Sequence, residues 1–447
     1  MLFEEDKKEN TMYKEISRLI VYTDKDRNSV LYEMGELFRM FDKKTVSAYD
    51  LREKAFGIVK RILEISTDYA FEDNLWHSYL THYIIDSENS FSVTCERTGA
   101  GDGSINEIVK SDFRVFINLF NFDFTEIEEY LDTRCFSMLC SYRVISKPEL
   151  MYNGNVSIRV KELKTRLEAC RNEDEFFDAV SEFYRDYGAG IFGVNRAFRI
   201  KDGDELVFEP VKNMDNVMLD DLIGYETQKA KLLENTEAFI AGRPANNVLL
   251  FGDRGTGKST SVKAIANQFW GDGLRMIQVY RHQMRQLSAV ISKIRTRNYR
   301  FIIYMDDLSF EDFETEYKYL KAVIEGGLES KPENIIIYAS SNRRHLIKET
   351  WSDRDDMEHT GEFHRSDSVE EKLSLSDRFG VQIYFGKPTN QEYIHIVEEL
   401  AREAGIDMEP DKLRTAANAW QIRHGGTSGR CARQFVDNLA GRNNEEA

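Results

Sequence analysis

Over the first 190 positions the apolar residues recur at three-to-four spacing, the period of one face of an α-helix. Leu51, Ala55, Ile58, Ile62 and Ile65 follow it through 49–65, and 158–170 and 173–187 repeat the habit. The pattern predicts a mainly helical domain over 1–190. Phe113, Phe116, Phe120, Phe122 and Phe124 carry little interleaved Lys and Arg, so they read as helical core and not as a stacking platform for single-stranded nucleic acid. The glycine-rich stretch 99–104 has no strand before it and no Gly-Lys-Ser after it, and predicts a flexible connection.

The period changes after Gly188-Ala189-Gly190. Residues 191–200 and 205–209 read as two short strands around Lys201-Asp202-Gly203-Asp204, a connecting hairpin within a linker over 191–214. Beyond it, apolar runs at 247–251, 274–279, 300–305, 334–339 and 381–385 alternate with helical runs. Such alternation predicts an α/β domain over 215–388, a parallel sheet sandwiched by helices with its ligand at the carboxyl ends of the strands. Helical spacing returns over 389–440 as a small lid, and 441–447 form a tail.

One stretch carries the chemistry. Gly252-Asp253-Arg254-Gly255-Thr256-Gly257-Lys258-Ser259, with Thr260 next, reads G-x-x-x-x-G-K-S directly after Val248-Leu249-Leu250-Phe251. This is a Walker A phosphate loop between a strand and a helix. Its glycines let backbone N–H groups turn onto phosphate oxygens, Lys258 adds charge at the β/γ-phosphates, and Ser259 offers a hydroxyl to Mg²⁺. The run Phe301-Ile302-Ile303-Tyr304-Met305 ends in Asp306-Asp307, a Walker B arrangement. Asp306 is then the second metal-side residue and Asp307 the one that orients the attacking water, with Glu311 a rival one helical turn on. Asn342, closing the next strand, is placed to bridge γ-phosphate and water. Arg378, just before the last strand, is placed to reach a neighbouring subunit's nucleotide, the alternative being a surface ion pair.

The totals narrow the partners. At 447 residues the chain exceeds a single core, so two or three domains are expected. A formal net charge of -17 argues against a broad nucleic-acid face. Five cysteines occur without a C-x-x-C pair and read as reduced thiols. No apolar run approaches the ~20 residues of a spanning helix, and the N-terminus lacks signal-peptide order, which together predict a cytoplasmic protein with no membrane partner. The charged segment 351–371 holds His359 and His364, read as a solvated loop in preference to a metal site.

Taken in order, Asp221-Leu222-Ile223-Gly224-Tyr225, the two Walker stretches, Ser340-Ser341-Asn342-Arg343-Arg344 and Ser376-Asp377-Arg378-Phe379-Gly380 resemble an AAA+ ATPase. They resemble more closely the bacterial AAA+ family carried as domain of unknown function 815, over about 215–439. That resemblance implies a P-loop NTPase fold, nucleotide contacts at Ile223 and Gly224, Asn342 as sensor 1, Arg378 as arginine finger and Arg430 as sensor 2, with Arg433 the alternative. The aromatic-apolar-glycine triplet that polypeptide-threading members carry is missing after the second strand, at Val279-Tyr280-Arg281-His282-Gln283-Met284. The expectation is an ATP- and Mg²⁺-dependent protein that self-associates with ATP and remodels or switches an unidentified protein partner. The alternatives are a nucleotide-gated switch with negligible hydrolysis and a DNA-acting loader.

Overall fold

The computed structural model describes residues 12–23, 26–143, 154–203, 205–212, 214–310, 316–325, 332–344, 346 and 375–443. The chain divides into two compact units, Met1–Asn195 and Arg196–Ala447.

The first unit is helical among its described residues, as the spacing predicts. Val30–Lys43 buries Val30, Leu31, Met34, Leu37, Phe38 and Phe41 along one stripe; Ser29 caps its start by accepting from Tyr32 N–H, and Lys44 ends it in the left-handed region. Ala48–Tyr69 repeats the design, with Ser47 and Ala70 at its ends, and Ile105–Phe120 repeats the buried stripe. Phe113 and Phe116 are fully enclosed, and Phe120, Phe122 and Phe124 belong to the same core. The aromatic run is therefore packing. A buried carboxylate pins the turn after helix Met12–Ile16: Asp112 accepts from the backbone N–H groups of Ile20, Val21 and Tyr22 at 2.8–3.1 Å.

The second unit is built on a seven-stranded sheet. Its strands are β1 (Ala197–Ile200), β2 (Phe208–Pro210), β3 (Val248–Gly252), β4 (Leu274–Gln278), β5 (Arg300–Met305), β6 (Ile335–Ser341) and β7 (Val381–Phe385), in the order β2-β1-β4-β5-β6-β3-β7. All neighbours are parallel except β1 and β2. β6 is buried along its whole length and β5 at every position after Arg300. Continuous apolar runs of this kind mark a parallel sheet covered on both faces. On one face Val248, Leu250, Met276, Ile302 and Ile336 pack with Leu232 and Phe239 of helix Glu226–Ile240 and with Val262 and Ile265 of helix Lys258–Gln268.

Two boundaries differ from the sequence reading. Residues Ile191–Val194 form a helical turn, closed by Asn195 N–H donating to Ile191 O. The hairpin that follows is an edge of the sheet and not a separate connection, because β1 pairs in parallel with β4 at Ala197↔Met276 through Arg199↔Gln278. The local pattern predicts strands but not the long-range partner. The lid comprises helices Asn390–Glu403, Pro410–Arg423 and Gly429–Asn443, the last extending past the expected end at 440. Tyr393, Ile396, Val397, Leu400, Leu413, Ala417, Phe435 and Val436 form its core, and Ile223 packs against it.

Among the described residues no helix is long and apolar enough to cross a membrane. None of the five cysteines forms a disulfide.

Candidate functional site

The switch in strand order places β3 between β6 and β7, so the loop after β3 opens at the carboxyl edge of the sheet. Gly252 leaves β3 at φ 132°, and a Cβ there would sit 2.2 Å from Phe385 O. At Gly255 (φ 75°) a Cβ would approach Arg430 Cβ and Ser428 Oγ to 3.1 and 3.2 Å. The loop is thus held against β7 on one side and the last lid helix on the other, at separations only glycine allows. Helix Lys258–Gln268 begins at its far end, with its N-terminal N–H groups facing the cavity that Gly257, Lys258, Ser259 and Thr260 line.

Lys258 is buried, and its Nζ donates to Gly252 O at 2.9 Å, Asp253 O at 2.5 Å and Asn342 Oδ1 at 3.3 Å. Burial holds its pKa below the usual lysine value, against the opposing pull of Asp253, Asp307 and Asp306. An ammonium so placed lies at the mouth of the loop with three carboxylates around it.

Asp306 follows β5 and is met by three hydroxyls. Ser259 Oγ, Tyr304 Oη and Ser340 Oγ each donate to Asp306 Oδ1 at 2.6 Å. Partial burial pushes the carboxyl up, but the hydroxyls of Ser259, Ser340 and Tyr304 outweigh it and hold the group below the ordinary aspartate range. The residue nonetheless presents surface to solvent. Asp307 turns away from it at φ 50°; its N–H donates to Ser340 Oγ at 3.0 Å and its Oδ1 accepts from Asn342 Nδ2 at 2.5 Å.

These groups share a cavity of about 760 Å³. Opposite the loop its walls are Val217, Leu222, Ile223 and Tyr225 from the strap before helix Glu226–Ile240, and Ile396 and Leu400 from the lid. Arg430 and Arg433 both line it, and Arg430 N–H donates to Gly255 O at 3.1 Å. Ser428 Oγ accepts from Cys431 N–H and caps this helix.

The structure therefore brings Ile223, Arg254, Gly255, Thr256, Gly257, Lys258, Ser259, Thr260, Asp306, Asp307, Asn342 and Arg430 to one cavity. Gly224, Gly252 and Asp253 are not in its lining. Gly224 neighbours Ile223 at φ 82°, Gly252 gives a carbonyl to Lys258, and Asp253 Oδ2 accepts from Lys387 N–H at 3.1 Å. Arg378 is outside the lining too and forms an ion pair with Glu325. Glu311, His359 and His364 lie outside the described residues. Sequence reasoning passed over Tyr304, Ser340, Tyr225 and the two lid residues. Tyr304 is a lone hydroxyl within an apolar strand, and Ser340-Ser341 a polar pair ending one; those were the available signals.

A phosphate-loop strand flanked by β6 and β7, an acidic pair ending β5 and a three-helix lid over the carboxyl edge define an AAA+ P-loop NTPase fold. The chain belongs to the family described as Protein of unknown function (DUF815), whose model matches residues 194–443. No curated protein matches it. Among solved structures it is similar to the RuvB Holliday junction branch migration motor of Thermotoga maritima, at 19% identity and a TM-score of 0.34, covering 49% of this chain and 63% of that one. A variant of the same RuvB matches at 19% identity and a TM-score of 0.35, over 49% and 64%. The chain thus spans less than two thirds of the RuvB chains it matches.

Proposed function

We propose that the chain binds ATP with Mg²⁺ and hydrolyses it, using the energy to remodel or switch a protein partner. The observation that carries this reading is the convergence of Lys258, the Ser259–Asp306 pair and the Asp307–Asn342 pair in one cavity beside the glycine loop.

The residues fit the groups they would hold. Loop N–H groups and the Lys258 ammonium suit phosphate oxygens. Ser259 Oγ and the Asp306 carboxylate are hard oxygen donors, and Mg²⁺ takes one or two such protein ligands alongside substrate phosphates and water. Among the described residues no group of three or more His, Cys, Asp or Glu forms a separate metal cage. Bound there, Mg²⁺ would offset the charge of the β- and γ-phosphates.

In the reaction, water attacks the γ-phosphorus and the bond to the β,γ-bridging oxygen breaks, giving ADP, inorganic phosphate and a proton released to solvent. Asp307 accepts a hydrogen bond from that water and orients it, with Asn342 fixing Asp307 on one side and Lys258 on the other. Lys258 stabilises charge on the leaving phosphate, and Arg430 from the lid contacts the γ-phosphate. Leu222, Ile223, Tyr225, Ile396 and Leu400 enclose the base.

A second reading, a nucleotide-gated switch with negligible turnover, draws on the Asp-Asp ending of the β5 run, where Asp307 is one methylene shorter than the Glu usual at that position in such ATPases. Steady-state phosphate release by purified protein with and without Mg²⁺ separates the two. Turnover that needs Mg²⁺ and vanishes in Lys258→Ala supports the enzyme. Tight Mg²⁺–ATP binding by calorimetry without phosphate release supports the switch, and ATP affinity unchanged in Lys258→Ala would sink both.

A further inference from the structure

We propose that Tyr304, together with Ser340, is a positioning residue that holds Asp306 in place for Mg²⁺ binding. The inference rests on the nucleotide reading of the site and assigns a role to Tyr304, which counts in the Walker B strand only as an apolar position, and to Ser340 on the neighbouring strand.

A carboxylate oxygen offers about two lone-pair sites, yet Asp306 Oδ1 receives three hydroxyls at 2.6 Å. Of the three donors, Ser259 belongs to the phosphate loop and is the one whose own oxygen would serve as a metal ligand. Once that hydroxyl turns to a cation, Tyr304 and Ser340 remain, and two donors match two lone pairs. Both are nearly enclosed, at 2% exposure each.

Their placement follows from strand geometry. Side chains two apart in a strand share a face, which brings Tyr304 beside Asp306. The β5–β6 register pairs Met305 with Ala339, so the next step sets Ser340 opposite Asp306. Ser340 Oγ also accepts from Asp307 N–H, so one hydroxyl steadies both carboxylate residues. Tyr304 costs the strand something that phenylalanine would not, because a buried hydroxyl must find a partner. It finds Asp306. Outer partners of metal-ligating carboxylates orient them, and losing one weakens metal affinity or activity by about 10–100-fold.

The test is a Mg²⁺ titration of binding by a fluorescent ATP analogue to full-length protein, wild type against Tyr304→Phe. Removing one oxygen keeps the ring and its packing. We expect affinity in EDTA to stay within about twofold, and the Mg²⁺ concentration giving half-maximal enhancement to rise roughly tenfold. Saturating Mg²⁺ should then restore most of kcat. Ser340→Ala provides a second variant with the same expected Mg²⁺ shift, and its effect on Asp307 should add a kcat loss that Mg²⁺ does not repair. If wild type shows Mg²⁺-enhanced binding and Tyr304→Phe titrates identically, or if Tyr304→Phe loses affinity equally in EDTA, the positioning role is wrong while the nucleotide reading stands. If wild type binds no nucleotide under either condition, both fall.

Discussion

The Asn342 side-chain amide joins two opposite charges: its Nδ2 donates to Asp307 Oδ1 at 2.5 Å and its Oδ1 accepts from Lys258 Nζ at 3.3 Å. The two contacts fix which end of the amide faces which neighbour. An amide is suited to this position because it can donate on one side and accept on the other, whereas a carboxylate there would face Asp307 with like charge.

Asn342→Ala is expected to leave ATP affinity within a few-fold and to lower kcat by about 100-fold, the scale of losing one transition-state donor. Asn342→Asp should fall further. Separate measurement of kcat and KM checks this, and a change confined to KM would mean that Asn342 only helps to bind substrate.

Asp307→Asn keeps the shape of the side chain and removes its charge. Nucleotide binding should persist while turnover drops by roughly 10²–10⁴-fold, the range for a positioned acid–base group. Glu311→Gln should retain most activity. The reverse pattern, with Glu311→Gln dead and Asp307→Asn active, assigns water orientation to Glu311. Single-turnover phosphate release, which isolates chemistry from product release, is the measurement of choice.

Gly252→Ala tests the loop's attachment to its surroundings. A Cβ at 2.2 Å from Phe385 O cannot be accommodated without moving β7 or the loop, and φ 132° is itself strained for alanine. The same corner is tied by Asp253 N–H donating to Phe385 O, Lys387 N–H donating to Asp253 Oδ2 and Tyr225 Oη donating to Gly386 O. These bonds anchor the segment that leads from β7 into the lid. The substitution should lower stability by about 2 kcal/mol or more and weaken ATP binding as well. Chemical denaturation with calorimetry on the same sample reads both, and a variant of wild-type stability would show that the corner yields freely.

What the sequence disclosed and what it hid follow from the range of the interactions. The phosphate loop was legible because strand, glycines and helix are contiguous over 248–268. The helical core was legible because burial in Val30–Lys43 or Ile105–Phe120 repeats at the helix period. The pairing of β1 with β4 spans nearly eighty residues and leaves no local mark, so the hairpin looked like a linker. Tyr304 was absorbed into an apolar run, since a buried tyrosine and a buried phenylalanine look alike until the hydroxyl's partner is seen. The left-handed turn at Asp307, which separates its carboxylate from that of Asp306, is likewise a backbone property that an Asp-Asp pair does not announce.

Arg378 poses the question of assembly. It precedes β7, pairs with Glu325 and is absent from the lining of the cavity that holds Lys258 and Asp307. A guanidinium outside its own site and just before the first residue of β7, away from the carboxyl ends where the phosphate loop opens, is poorly placed for its own γ-phosphate and suited to a neighbour's, where a cation offsets developing charge. ATP should then promote self-association, seen as a concentration-dependent mass by light scattering, and activity per subunit should rise with protein concentration. Arg378→Ala should spare ATP affinity and cut turnover towards the ~10³-fold lower end reported for such arginines. The decisive measurement mixes Arg378→Ala with Asp307→Asn. Each homogeneous assembly lacks one component at every interface, but half of the mixed interfaces unite an intact Arg378 from one subunit with an intact Asp307 from the other. Partial recovery of turnover, rising to a maximum near equal proportions, is the expected result. A mixture that co-assembles and stays inactive would confine Arg378 to its own subunit, where the Glu325 ion pair is then its whole role.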